Sequence, residues 1–155
     1  GAWTELGAYP VFVIGKLLGT ESRRIRFTTC RKPETGVDLF TRADFLYPNA
    51  AASATVAIGA KREGDLCVTG TRGYIYVPSP WWKTEIFEVR FEDPRQNRKY
   101  FIRFEGDGLR YELAAFLRLI HGCRHEFSLM SRDDSLFMAD VTCRFREGGD
   151  VEEIN

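Results

Sequence analysis

Two stretches of this sequence alternate as paired strands must. Over residues 84–92, Ile86, Glu88, Arg90 and Glu92 alternate with Phe87, Val89 and Phe91. Over residues 99–105, Tyr100, Ile102 and Phe104 alternate with Phe101, Arg103 and Glu105. Strand side chains point to opposite faces with a period of two, so both stretches read as extended. Asp93-Pro94-Arg95-Gln96-Asn97 supplies the turn between them, which predicts an antiparallel hairpin. Its charges, Glu88, Arg90, Glu92, Arg103 and Glu105, are expected to form a solvated, cross-paired surface.

More strands precede this hairpin. Residues 21–31 alternate, with Ile25, Phe27 and Thr29 on one side and Arg24, Arg26 and Thr28 on the other. Lys32-Pro33-Glu34-Thr35-Gly36 is a turn, and residues 37–47 form a second extended region with Leu39, Phe45 and Tyr47 half-buried. Residues 50–60 read as a small-residue strand, with Ala52, Ala54, Val56 and Ile58 facing one way. Small side chains on both faces suggest that a helix, a partner's sheet or bulky neighbours approach closely. Leu66–Thr69 and Tyr74–Val77 are short strands joined by Gly70-Thr71-Arg72-Gly73. That glycine pair is a turn rather than a phosphate loop, because no Lys-Ser/Thr and no helix follow it.

Helices flank the strands. Residues 2–19 are mostly apolar, and Leu6, Val13, Ile14, Leu17 and Leu18 fall near a three-to-four-residue repeat with Gly19 as a stop. Pro10 removes one amide donor, so this helix is expected to begin or kink there. Asp107 can cap a helix on which Leu109, Leu113, Phe116, Leu117 and Ile120 are expected to form a buried stripe, closed by Gly122. Ser131 and Asp134 have capping-box spacing ahead of a helix with Phe137, Val141 and Phe145 on one stripe. Gly148-Gly149 and the acidic end are expected to fray.

The sum is one α+β domain over residues 1–155: a mostly antiparallel open sheet of six or seven strands. The N-terminal helix and the two C-terminal helices pack on one face. The other face has no evident cover, which predicts a homo-oligomer through it.

The 22 basic and 22 acidic residues balance, so no overall field favours nucleic acid or an anionic membrane. No apolar run reaches the roughly 20 residues that span a bilayer, and no signal peptide is expected. Cys30, Cys67, Cys123 and Cys143 form no Cys-x-x-Cys pair, which suits a reducing, cytoplasmic setting. His121 and His125 sit four apart, but Gly122 interrupts the helix and no further ligand pattern is near, so no metal site is expected. Trp81 and Trp82 are held in a loop by Pro78 and Pro80. They are candidates for stacking on a sugar ring, or for closing the core edge or an interface.

Gly1-Ala2-Trp3-Thr4-Glu5-Leu6-Gly7-Ala8-Tyr9-Pro10, followed by an apolar helix ending Leu17-Leu18-Gly19, resembles the start of the C-terminal domain of the Gfo/Idh/MocA oxidoreductases. The resemblance continues at Gly70-Thr71-Arg72-Gly73-Tyr74-Ile75-Tyr76-Val77-Pro78, at Gly106-Asp107-Gly108-Leu109-Arg110-Tyr111-Glu112-Leu113-Ala114-Ala115-Phe116-Leu117, and at Asp133-Asp134-Ser135-Leu136. It implies that Tyr9 matches the Tyr/His that exchanges a proton with the substrate hydroxyl. Glu5 stands where the family usually has Asp.

A tyrosine hydroxyl ionises near pH 10, about three units above neutrality, so such a site needs a nearby cation. In the family that cation is the Lys of a Glu-Lys-Pro motif on a Rossmann domain, which also holds NAD or NADP. Neither Glu-Lys-Pro nor Gly-x-Gly-x-x-Gly occurs here. The resemblance therefore implies the substrate-binding and oligomerisation half of an oxidoreductase acting on a sugar or polyol, inactive by itself and partnered by a Rossmann domain. A non-catalytic module that keeps the fold is the alternative.

Overall fold

Pro10 decides the shape of the first helix. It has no amide hydrogen, and its ring crowds the carbonyl four residues back. The helical run forms two pieces, α1 (Ala2–Leu6) and α2 (Ala8–Leu18), that meet at Gly7. In this computed structural model, which describes residues 1–103, 105–121 and 130–154, Gly7 keeps helical angles of φ −64° and ψ −28°. Helical register therefore carries through the break, with the Gly7 amide bonded to the Trp3 carbonyl and the Val11 amide to that of Gly7. Gly19 ends α2 at a positive φ of 88°.

The remaining elements follow in chain order. Strands β1 (Arg24–Arg31), β2 (Asp38–Leu46), β3 (Ala51–Ala57), β4 (Leu66–Gly70), β5 (Gly73–Val77), β6 (Ile86–Phe91) and β7 (Arg98–Phe101) come first. Helices α3 (Gly108–Ile120) and α4 (Arg132–Glu147) and strand β8 (Val151–Glu153) complete the chain. The class is α+β and the pairing mostly antiparallel, as expected. Eight strands are described, shared between sheets of order β3-β2-β1-β8 and β4-β5-β6-β7. The chain divides into two compact units, Gly1–Lys61 with Leu129–Asn155, and Arg62–Ser128.

In the first unit the inward side chains of β1–β3, among them Ile25, Phe27, Ala43, Phe45, Ala54 and Val56, are buried against the helices. The helices contribute Trp3, Val11, Ile14, Phe137, Val141 and Phe145. The Trp3 indole meets the Phe27 ring edge-on at 5.3 Å and lies 5.9 Å from Phe145. The helical face differs from the expected one: Leu6 and Leu17 are exposed, while Trp3 and Val11 are buried. An almost uniformly apolar segment offers periodicity little contrast, so tertiary contacts choose the face. One such contact is the buried Asp38, whose Oδ2 accepts the Trp3 amide at 2.7 Å and the Thr41 hydroxyl at 3.0 Å.

The acidic end is a strand rather than a frayed tail. β8 lies parallel to β1, with the Phe27 amide donating to the Asp150 carbonyl and the Ile154 amide to that of Thr29, each at 2.8 Å. The free edge of β1 supplies the partners that the tail's own low strand propensity does not foretell.

The second unit contains the predicted hairpin: β6 and β7 pair antiparallel, from Ile86 opposite Phe101 to Val89 opposite Arg98. Phe104 lies outside the described residues. On the polar face Glu88 binds Arg90 at 2.7 Å and Lys99 at 3.2 Å. Arg90 and then Lys99 hold its carboxyl below the usual range. Asp107 caps α3 by accepting the Leu109 amide. The α3 stripe Leu109, Leu113, Phe116, Leu117 and Ile120 is exposed, because an apolar period specifies a face and not what covers it. Gly122, Cys123 and His125 lie outside the described residues. Among the described residues no helix is long and apolar enough to cross a membrane.

Candidate active site

With Trp3, Val11 and Ile14 turned into the core, helical register puts Glu5 and Tyr9 on the opposite side of α1 and α2. Both are exposed, Tyr9 at 57%. Neither side chain makes a hydrogen bond or ion pair among the described residues. A carboxylate and a phenol one turn apart can hydrogen-bond one incoming oxygen, and the phenol can pass it a proton.

Lys16, two turns beyond Tyr9, is the one basic side chain of α1 and α2, and it is committed elsewhere. Its Nζ lies 2.6 Å from Asp134 Oδ2. Asp134 is also the reciprocal member of the predicted capping box, accepting the Ser131 amide at 2.6 Å and the Ser131 hydroxyl at 2.7 Å. Lys16 first, then Ser131, draws the Asp134 carboxyl down to about 2.

This lowered pKa has a sign that can be checked. An unfolded Asp titrates near 3.9, so the native state binds fewer protons between that value and about 2. The contribution is complete above about pH 5 and is lost as pH falls through about 4 towards 2. In Lys16→Met the Asp134 carboxyl is expected to titrate nearer the ordinary range, with a smaller loss of stability on acidification. Carboxyl NMR titration and acid unfolding check both; an unchanged Asp134 titration would contradict the assignment.

Trp81 and Trp82 sit in the second unit, on a short 3-10 turn after the cis Ser79–Pro80 bond. Their rings are 6.2 Å apart and nearly perpendicular. The Trp81 amide bonds the Gly64 carbonyl, and a Cβ on Gly64 would come within 2.6 Å of the Trp82 ring, so a side chain there would displace it. Trp82 is 54% exposed, leaving one aromatic surface free. Glu5 and Tyr9 thus belong to the first unit, and Trp81 and Trp82 to the second.

One feature went unread in the sequence. On the outer side of β1–β3, Arg24, Arg26, Arg42, Asp44, Leu46 and Ser53 line a depression of about 470 Å³. The outward alternation of Arg24 and Arg26 was its signal.

No family model matches the sequence, and no curated relative does. Solved structures do match. This fold is found within several solved oxidoreductase structures. A structure of KijD10, a 3-ketoreductase from Actinomadura kijaniata in complex with NADP and TDP-benzene, superposes with a TM-score of 0.80 at 16% identity. The match covers 100% of this chain and 48% of that one. A probable oxidoreductase, yhhX, gives 0.64 at 14% identity over 94% of this chain and 47% of its own. The chain therefore spans about half the length of these structures. At such identities the likeness is one of fold.

Proposed function

We propose that this chain is the C-terminal, substrate-side domain of an NAD(P)-dependent oxidoreductase of the Gfo/Idh/MocA kind, residues 1–155 forming that domain. The observation that carries the reading is the exposed Tyr9, without a polar partner among the described residues, one turn after Glu5, on a chain whose whole length matches about half of a 3-ketoreductase. The substrate class is a hydroxyl or carbonyl of a sugar or polyol. KijD10, whose structure holds NADP and TDP-benzene, supports that class by likeness.

The dinucleotide, held by a Rossmann domain, supplies the hydride. This chain has no glycine-rich strand-turn-helix to hold it and contributes the proton site. In reduction the Tyr9 hydroxyl donates its proton to the carbonyl oxygen, giving the alcohol; in oxidation the phenolate takes that proton back. The phenolate needs an adjacent cation, and Lys16 is bound to Asp134, so the Rossmann domain is the source. Glu5 orients the substrate by accepting from one of its hydroxyls. Trp81 and Trp82 are assigned a secondary role, stacking on the sugar. Free thiols at Cys30, Cys67 and Cys143 fit a cytoplasmic protein.

Self-association through an open sheet face is part of the proposal. The row Val68–Ile75–Val89 across β4, β5 and β6 is apolar and only partly buried. The outer side of β1 and β2 would instead bring Arg24, Arg26 and Arg42 of two copies together around a twofold axis. Light scattering of the chain is expected to give a dimer or larger; a monomer at all concentrations would remove this part.

A second reading has one observation in its favour. Glu5 carries one methylene more than the Asp of the family pattern, and the depression described above lies elsewhere. A non-catalytic oligomerisation or ligand-binding module would keep the fold without the reaction. NAD(P)H consumption separates the two. The isolated chain should neither bind nor consume the nucleotide; linked to a Rossmann domain bearing Glu-Lys-Pro, it should consume it with an oxidised sugar. A linked protein that binds NAD(P)H but turns over no substrate supports the second reading.

A further inference from the structure

Strand alternation on β1 turns Ile25 and Phe27 inward and sends Arg24 and Arg26 out on the same side, about 7 Å apart along the strand. Across the sheet, Arg26, Asp44 and Ser53 share one row, and Arg24, Leu46 and Ala51 share the next. Here β3, the edge strand beyond β2, presents only Ala51 and Ser53, so the outer surface falls away beside the longer side chains of β2 and β1 and leaves the depression of about 470 Å³. That volume lies in the usual range for small-molecule sites, about 300–1,000 Å³.

The charges do not cancel within it. Arg42 takes Asp44 for itself, with Nε and Nη2 at 3.0 and 2.8 Å from Oδ1. Glu152 of β8 stands beside Thr28, one residue pair further along the face. Neither Arg24 nor Arg26 has a hydrogen-bond or ion-pair partner among the described residues. Two unengaged guanidinium forks thus border a small, partly apolar hollow, with the Ser53 hydroxyl on its floor and Leu46, 50% exposed, at its side.

We propose that this depression binds a soluble phosphate monoester, its phosphate held between Arg24 and Arg26 and its organic body lying over Leu46 and Ala51. A phosphate dianion matches two free guanidinium charges, and their planar donor pairs match its oxygens. Leu46 and Ala51 give an ester's organic body an apolar contact that a bare ion cannot use. The proposal is independent of the oxidoreductase reading, because none of these residues belongs to the Glu5–Tyr9 face.

Titration of the full chain with phenyl phosphate, followed by amide NMR shifts, tests it. The expected result is saturable shifts centred on residues 24–26, 44–46 and 51–53, with phenyl phosphate binding several-fold tighter than inorganic phosphate or phenyl sulfate. Arg24→Gln and Arg26→Gln should each weaken it about tenfold, the loss of one charge-assisted contact. Arg26→Lys, which keeps the charge but loses the fork, should weaken it less. Both arginines are free of native partners, so thermal melting should be unchanged. Scattered shifts, equal affinity in the glutamine variants, or inorganic phosphate binding as tightly as the ester would overturn the proposal. So would a change of oligomeric state in Arg24→Gln, which would make the face a contact between copies.

Discussion

Trp3→Ala is expected to cost the first unit about 3–5 kcal/mol, the range for removing a large buried aromatic. Trp3 is 2% exposed and joins Phe27 of β1 to Phe145 of α4, so three elements lose a shared contact at once. The site has little freedom to close up. A Cβ on Gly7 would already lie 2.9 Å from the indole, and the Trp3 amide is fixed by Asp38. Trp3→Phe, which keeps a ring against Phe27, should lose less. Urea unfolding followed by circular dichroism reads both. A loss below about 1 kcal/mol for Trp3→Ala would contradict the central position given to this residue.

Trp3 also marks where the sequence stopped being readable. The hairpin of β6 and β7, the Ser131–Asp134 box, the Asp107 cap and the Gly19 stop all depend on residues within a few positions of one another. Local chemistry was enough to read them. The inward turn of Trp3 depends on Asp38, 35 residues away, and β8 depends on the free edge of β1. Neither has a local signature. The candidate site divides along the same line. The four-residue spacing of Glu5 and Tyr9 could be read directly, and the structure adds that both are exposed and without a polar partner among the described residues. That Lys16 is tied to Asp134 required the packing of α2 against α4, where a Cβ on Gly15 would reach within 3.0 Å of Phe137. The arginines of β1 were legible as an outward row, but their lack of acceptors follows only from cross-strand register.

The second large effect falls on rate rather than stability. Tyr9→Phe removes one oxygen from an exposed side chain with no hydrogen-bond partner among the described residues, so unfolding should be unaffected. If Tyr9 carries the proton, its loss should lower kcat by about 10²- to 10⁴-fold, the usual contribution of a positioned acid or base. KM should change little, because a hydroxyl that matters mainly in the transition state contributes little to ground-state binding. Glu5→Gln should cost less, since the role proposed for Glu5 is to orient rather than to transfer.

The measurement that bears most directly on the central claim is kcat for NAD(P)H oxidation with an oxidised sugar, in the chain linked to a Rossmann domain bearing Glu-Lys-Pro. Tyr9→Phe should lower it by at least about a hundredfold with unfolding unchanged. An equal kcat in wild type and Tyr9→Phe would contradict the claim that this chain supplies the proton.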